Sequence, residues 1–580
     1  MLPNTKTSVP IIVPAWRGQA VVLLLLGGFV GLIFRAAYLQ GIHNDFLQQK
    51  GESRYSRVLE ISAHRGMLTD RHGEPLAIST PVESLWVSPE DFAATPAQLK
   101  QLATLIDMPP HEISQRAADS QRDFVYVKRH LPPEIAAKVA ALNLPGLFLQ
   151  REFHRYYPAG EVMAHLVGFT DVDDNGREGL ELARQEHLAG KPGSRRVIKD
   201  RLGRVVEDVE SLRTPKPGQD LTLSINSKIQ YLAFRELKQA VLAHKAKAGG
   251  IVVLDAETGE VLALANLPVY NPNNRGNISG GQGRNRAMTD VFEPGSTLKP
   301  FTVAAALEAG SITPASIFQT APGKLTIGNA TIHDSHPEGA LSVAQVIQKS
   351  SNIGAAKIAL GMPPKILWEM LSRSGFGAST GSGFPGEVTG KLRPHRSWQK
   401  IEHATISYGH GISVSLLQLA RSYTIFASGG ELKPVSLIKL DTAVVGERVI
   451  SEKTAQAVSA MLESVVQPGG TAVDAQVPGY RVAGKTGTAH KVEGNGYAEK
   501  RYVASFVGYA PASKPRLIVA VMLDEPSAGQ HYGGAVAGPV FGQVMGGALN
   551  LLNVPHDAPL GARASCPQCE RDARAPKGEG

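Results

Sequence analysis

The sequence is poor in thiols. Only two cysteines occur in 580 residues, Cys566 and Cys569, both near the C-terminus. The body of the chain therefore has no disulfide framework and no cysteine nucleophile, which suits an extracytoplasmic protein as well as many cytosolic ones. Cys566-Pro-Gln-Cys569 sits among Pro, Gly, Ala, Arg and Glu, with almost nothing apolar to bury. That composition predicts a disordered tail over residues 554–580. Aromatic residues are few, at 6%, and neither zinc-finger spacing nor an aromatic RNA-binding run occurs. The formal charge of +8 is thus not read as nucleic-acid binding. Its densest stretch runs from Lys191 to Arg204, with Arg195, Arg196, Lys199 and Arg201 between, and reads as a solvated face. Metal-ligand spacing is missing too. His111-Glu112 lacks the second histidine of a His-Glu-x-x-His helix, and His333 with His336 lies in an irregular segment. No metal and no cofactor is expected.

Acidic residues are absent before Asp45, and there is one long hydrophobic run. Ala20 to Phe34 carries no charge, and the run continues past Arg35 through Leu39. This approaches the ~20 residues that span a bilayer. Arg35 lies near the far end, where it can snorkel to the interface, and Trp16 and Tyr38 flank the run where aromatic belts sit. The run is long for a cleaved signal, and no small-x-small cleavage site follows it. Lys6 and Arg17 precede it. The positive-inside rule then places residues 1–18 in the cytoplasm, residues 19–40 in the membrane and the rest beyond it, away from ATP.

The length predicts two folded domains, and 43% hydrophobic residues are enough for sizeable cores. Residues 41–217 show a mixed pattern of small strands and short helices, often broken by glycine. A shift comes at Pro215-Lys216-Pro217-Gly218. Beyond it, residues 218–553 read as one domain. A helix is predicted from Ser227 to Ala248, then a hairpin of Gly250 to Leu254 and Glu260 to Ala265. Further strands are predicted at Tyr480 to Ala489, Tyr502 to Tyr509 and Leu517 to Leu523. Helices are predicted at Thr297 to Ala309 and Leu341 to Leu360. Strands at both ends with helices between predict an α+β domain with a central antiparallel sheet flanked by helices.

Three short motifs carry chemistry. Glu293-Pro294-Gly295-Ser296-Thr297-Leu298-Lys299 opens a helix, and residues three apart share a helix face. Ser296 is a weak nucleophile until a base takes its proton, and a buried lysine near another cation can be that base. Ser350-Ser351-Asn352 falls inside a predicted helical run, where polar side chains facing a core are costly unless used. Taken alone it reads as a solvated helix face. Lys485-Thr486-Gly487-Thr488 falls in a strand, where glycine lets a ligand approach the backbone and the other residues offer charge and hydroxyls to a carboxylate. The three together are far more specific than any one. A rival exists: Gly479 to Thr486 also matches the phosphate-binding pattern Gly-x4-Gly-Lys-Thr, and Asp524-Glu525 follows a later strand. That loop must lead into a helix, whereas here the sequence reaches Gly494-Asn495-Gly496, a hairpin turn.

On these motifs the chain resembles a class B penicillin-binding protein, most of all the septal division enzyme of Gram-negative bacteria. Arg65-Gly66 with Asp70-Arg71-x-Gly73, Arg155-Tyr156-Tyr157-Pro158, Gly179-Leu180-Glu181, Tyr408-Gly409-His410-Gly411 and Gly533-Gly534 also fit. The resemblance implies a single N-terminal transmembrane helix, an elongated pedestal (dimerisation-type) domain over 41–217 and a transpeptidase domain over 218–553. It implies a D,D-transpeptidase of the inner membrane, periplasmic in its catalytic part. Its substrates are peptidoglycan stem peptides ending in D-Ala-D-Ala, and β-lactams are its covalent inhibitors. Partners implied are a membrane glycan polymerase and divisome proteins. Ser296 is then the nucleophile and Lys299 its base. Ser350 relays a proton, Asn352 holds the substrate amide and Lys485 sets the potential. Thr486, Gly487 and Thr488 bind the terminal carboxylate, with backbone N–H groups of Ser296 and Thr488 as the oxyanion hole. Alternatives within this chemistry are an elongation-type transpeptidase, a D,D-carboxypeptidase and a β-lactam sensor. A class A β-lactamase fits less well, because Glu387 is followed by Val, Thr and Gly rather than a deacylating motif.

Overall fold

The computed structural model describes residues 14–42, 56–118, 122, 124–199, 205–276, 278, 280–442, 444–494 and 496–558. The expectations for residues 1–13 and for the tail from residue 559 on, with Cys566 and Cys569, lie outside the described residues. Residues 554–558, predicted to begin that tail, are instead held on the folded chain, where the Asp557 carboxylate accepts from Arg481 N and Ser513 Oγ, both at 2.7 Å. Helix α1 (Ala15–Ala37) opens the described chain. Its apolar stretch, Ala15–Gln40, has a mean hydropathy of 2.3 and buries none of itself in the protein. Leu24 and Phe34 are 79% and 73% exposed, so the helix packs in no protein core. A bilayer is the solvent that such a surface suits, as a single-pass anchor or a signal segment.

The chain forms two compact units that interleave in sequence. The first comprises the described parts of Met1–Ala63, Pro81–Glu152 and Lys191–Lys216. It contains an antiparallel sheet in which Gly193–Lys199 pairs with Ser56–Ile61 on one side and Val205–Arg213 on the other. Arg195 and Arg196 of the basic stretch therefore lie on a central strand. A separate small core gathers Leu85, Val127, Leu102, Ile106 and Val139. Its helix Pro96–Ile106 starts at a capping box made by Thr95 and Gln98.

The second unit comprises His64–Thr80, Phe153–Gly190 and the described residues from Pro217 on. Its centre is a five-stranded antiparallel sheet, as the sequence pattern predicts. The strands are β1 (Ala248–Asp255), β2 (Val261–Leu267), β3 (Ala483–Glu493), β4 (Gly496–Ala510) and β5 (Leu517–Asp524), in the order β2-β1-β5-β4-β3. One row of the register runs Leu264, Val252, Ala520, Val507, Lys485. Every residue of β1 and β2 is buried, because helices cover both faces. Helix α2 (Ser227–Ala243), capped by the Asn226 side chain, lies so close that a Cβ on Gly249 would sit 2.8 Å from Val241. The next residue, Gly250, faces Leu416 of helix α5 (Leu416–Ser422) on the opposite side. Helix α6 (Gly538–Leu551) packs beside α2. The helix predicted to reach Ala248 stops at Ala243. Lys245 turns left-handed at φ 47°, and Ala248 is taken into the sheet opposite Asp524.

Two polar clusters tie the front of this unit together. The Asp70 carboxylate accepts hydrogen bonds from His72 N, Glu74 N and Ser227 Oγ, joining the Asp70-Arg71-x-Gly73 turn to the start of α2. Deeper, Glu181 accepts from Arg65 Nε and Arg155 Nε, both at 2.7 Å. Arg65 also reaches Gln185 Oε1 at 2.8 Å and Arg155 reaches Ser79 Oγ at 3.1 Å.

Candidate active site

The segment before Ser296 is pinned from two sides. Gly295 adopts φ +56° and its N–H donates to Gly409 O at 3.2 Å. Thr297 O accepts from the buried Tyr423 hydroxyl at 2.8 Å. A tight turn over Gly295–Leu298 leads straight into helix α3 (Lys299–Glu308). The turn and the helix start put Ser296 and Lys299 on one face, and Lys299 Nζ donates to Ser296 Oγ at 2.8 Å.

The second motif departs from expectation. The run Leu341 to Leu360 is not one helix and Ser350 is not on a solvated helix face. Helix Val343–Gln348 ends, Ser350 takes a left-handed φ of 61°, and helix α4 (Asn352–Leu360) begins anew. Ser351 is the N-cap of α4, its hydroxyl accepting from Gly354 N at 2.9 Å. Serine and asparagine are poor helix-interior residues and strong caps, so Ser-Ser-Asn could have been read as a break. Asp334, to which no motif in the sequence points, holds this break. Its carboxylate accepts from Asn352 N at 2.5 Å, Ile353 N at 3.0 Å and Ser351 Oγ at 2.6 Å. The negative charge also sits favourably at the start of α4.

Around Lys299 Nζ the two motifs meet. Besides Ser296 it contacts Ser350 O at 2.5 Å, Ser350 Oγ at 3.1 Å and Asn352 Oδ1 at 2.8 Å. From the strand side, Lys485 Nζ reaches Ser350 Oγ at 3.0 Å and Thr486 Oγ1 at 3.2 Å. Ser350 Oγ thus stands between two lysine side-chain nitrogens, both lysines fully buried. Thr486 Oγ1 pairs with Thr471 Oγ1 at 3.0 Å, and Thr488 Oγ1 accepts from Gly533 N at 3.0 Å. Asp334 and Thr471 are second partners that no motif in the sequence marks, whereas Gly533 belongs to the Gly533-Gly534 pair already noted there.

This geometry decides between the two readings of Lys485-Thr486. They lie on β3, an edge strand whose pairing with β4 runs on to Glu493 and Gly496. A phosphate loop needs a helix N-terminus there. Asp524, its would-be magnesium ligand, is held by Lys491 Nζ at 2.8 Å on both oxygens. Among the described residues no group of three or more His, Cys, Asp or Glu side chains could hold a metal ion.

Electrostatics favour a neutral amine beside the serine. Burial first, and then the charge of Lys485, push Lys299 well below its usual range, with Asp334 opposing. Burial pushes Lys485 down to about 7. His410 is driven down to about 4 by burial, Lys299 and His490, so it stands neutral near pH 7. Acylation needs a neutral Lys299 to take the serine proton and a charged Lys485 to meet a carboxylate. The rate constant for penicillin acylation reports the free protein. It should rise with pH as Lys299 loses its proton and fall above about 7 as Lys485 loses its own. Stopped-flow labelling across pH 5–10 checks this, and a single limb climbing to the ordinary lysine range, ~10.4, would contradict it.

Gly487 lies where β3 presses against the nucleophile segment. A Cβ there would sit 2.3 Å from Ser505 Oγ and 2.8 Å from Pro294 O. Even alanine must push the strand away from Ser296. Gly487→Ala should slow penicillin acylation by roughly 10²-fold, as misplacement by about 1 Å does, while circular dichroism stays unchanged. Acylation at the parent rate would show that the strand has room to spare.

Residues 249–546 match the penicillin-binding protein transpeptidase domain, and residues 60–223 match the penicillin-binding protein dimerisation domain. The probable peptidoglycan D,D-transpeptidase PenA of Neisseria meningitidis is 43% identical over 97% of both chains. The peptidoglycan D,D-transpeptidase FtsI of Escherichia coli K12 is 43% identical over 94% of this chain and 93% of its own. Among solved structures, the apo transpeptidase domain of Burkholderia pseudomallei penicillin-binding protein 3 is 51% identical with a TM-score of 0.54. It covers 58% of this chain and 98% of that one. The chain belongs to the class B penicillin-binding proteins, the peptidoglycan D,D-transpeptidases.

Proposed function

We propose that this protein cross-links peptidoglycan stem peptides at the division septum, through an acyl-enzyme on Ser296. The observation that carries the chemistry is Lys299 Nζ within hydrogen-bond reach of Ser296 Oγ, Ser350 Oγ and Asn352 Oδ1 at once. Neutral Lys299 takes the Ser296 proton as Oγ attacks the penultimate D-Ala carbonyl. The oxyanion is met by the N–H groups of Ser296 and Thr488. Ser350, between Lys299 and Lys485, passes the proton to the departing D-Ala nitrogen, and the C–N bond breaks. Asn352 holds the substrate amide. Lys485, Thr486 and Thr488 hold the terminal carboxylate, with Gly487 letting the substrate backbone come close. An amine of a neighbouring stem then attacks the ester, and Ser296 regains its proton through Lys299. β-Lactams enter the same path and stop at the ester.

Helix α1 anchors the chain in the inner membrane, with the N-terminus cytoplasmic and both folded units periplasmic. A membrane glycan polymerase and divisome proteins are the partners this placement calls for. Asn352 and Thr486 support the septal role, since elongation relatives often carry Asp and Ser at those positions. Covalent labelling by a fluorescent penicillin tests the chemistry, and depletion in the cell tests the role. Depletion should give long filaments, whereas round cells would assign the chain to side-wall elongation.

A further inference from the structure

A cavity of about 790 Å³ opens beside the acyl site, in the same compact unit. Its walls include Glu293, three residues before the nucleophile, and His490 to Val492, on β3 just beyond Thr488. At ~3.3 Å per residue, that wall lies roughly 7–13 Å past the carboxylate-binding end of the strand. Six cations line the cavity: Lys247, Arg284, Arg286, Lys391, Arg393 and Lys491. Three carboxylates share it, those of Asp290, Glu293 and Asp524. Asp290 serves both Arg284 and Arg286. Lys491 takes Asp524 and Glu525, Glu525 also meets Lys247 at 3.5 Å, and Arg393 turns to Glu402. The Lys391 side chain is exposed and has no carboxylate partner among the described residues. Glu293 is unusual in the opposite sense. Its Oε1 accepts from Gly411 N at 2.8 Å and Tyr497 OH at 3.3 Å, but its buried Oε2 has no partner.

Surplus positive charge around one buried carboxylate oxygen that lacks a donor is the complement of a ligand with several carboxylates and an amine. We propose that this cavity docks the acceptor peptide of the cross-linking reaction, a stem carrying a free amine and at least two carboxylates. Glu293 Oε2 takes an N–H of that ligand, and Lys391, Arg284 and Lys247 take its carboxylates. This assignment rests on the acyltransfer reading of Ser296. The donor's terminal carboxylate is already placed at Lys485 to Thr488, so a second acidic chain has to approach by another route. The cavity supplies one that ends at the nucleophile segment.

The test uses the full chain in detergent, a small acyl donor and two acceptors. One acceptor is a peptide with a free side-chain amine and two carboxylates. The other is the same peptide with both carboxylates amidated. The parent should favour the acidic acceptor by about tenfold, less as salt is added. The double variant Lys391→Glu, Lys247→Glu alters two exposed side chains outside the catalytic group. It should lose that preference through KM, with kcat nearly held and penicillin acylation within about twofold of the parent. A parent indifferent to amidation, or a variant that keeps the preference, would overturn the docking site. So would a variant whose penicillin acylation falls in step, because the cavity would then be acting through Ser296. Failure of the parent itself to be acylated by penicillin would instead overturn the acyltransfer reading.

Discussion

Ser296→Ala should remove all covalent labelling by a fluorescent penicillin and lower cross-linking by at least ~10⁴-fold, more than ~5 kcal/mol of barrier. The loss is that large because nothing beside Lys299 can replace the hydroxyl. Ser350 Oγ is the nearest alternative, but it lies between Lys299 and Lys485 at 3.1 and 3.0 Å. In the parent the adduct should persist for many turnovers' worth of time. Release by water needs a carboxylate base near the ester, and Glu387 does not offer one. Its oxygens are taken by Thr380 N at 2.5 Å and Ser382 Oγ at 2.7 Å. Intact-protein mass spectrometry with peptide mapping reads both results. An adduct on a peptide that lacks Ser296 would sink the assignment.

Glu181→Ala should be the most damaging substitution away from the site. Arg65 and Glu181 are fully buried and Arg155 is 3% exposed, so removing the carboxylate takes from both guanidinium groups their hydrogen-bonded counter-charge and leaves them only the neighbouring Asp174. Breaking a buried pair in this way costs about 3–5 kcal/mol. The thermal unfolding midpoint should fall by several degrees, since ~1 kcal/mol moves a domain of this size by about 2–4 °C or less. Glu181→Gln should recover part of the loss by keeping hydrogen bonds to both arginines. A midpoint unchanged in the alanine variant would mean that water reaches the cluster. Acylation measured well below the midpoint should stay near the parent rate, because none of these residues touches Ser296.

The parts of the site that sequence could reveal are those fixed by short-range rules. Ser296 and Lys299 share a helix face by periodicity alone, and the apolar runs of β1, β2, β4 and β5 announce strands. Lys485 and Thr486 are ambiguous by themselves, since a helix and a hairpin give the same residues opposite uses. The turn residues Gly494-Asn495-Gly496 decide for the hairpin. Features that stayed hidden depend on contacts across long stretches of chain. Asp334 clamps the start of α4 from outside the Ser-Ser-Asn motif, and no spacing rule marks an aspartate as a clamp. The break at Ser350 was lost because Val346, Ile347 and Ile353 keep a helical apolar rhythm across it, while the capping preference of Ser351 is worth only ~1 kcal/mol. The tight fit of Gly487 against Pro294 and Ser505 appears only when two distant segments are folded together.

Strand β3 ends the sheet, and the proposed function lays a substrate along its outer side at Lys485 to Thr488. A bare edge is a template for any extended chain, including the edge of another copy, and proteins usually cap or twist such edges away. This one cannot be capped without closing the enzyme. The protection it has is local. Lys485 places a cation at the working stretch, which a carboxylate answers and the same stretch of another copy, bringing a second Lys485, does not. A strand built to accept a peptide backbone in this way is open to any rigid bicyclic amide that presents the same line of acceptor, donor and carboxylate, and tightening it against such mimics would also tighten it against the peptide.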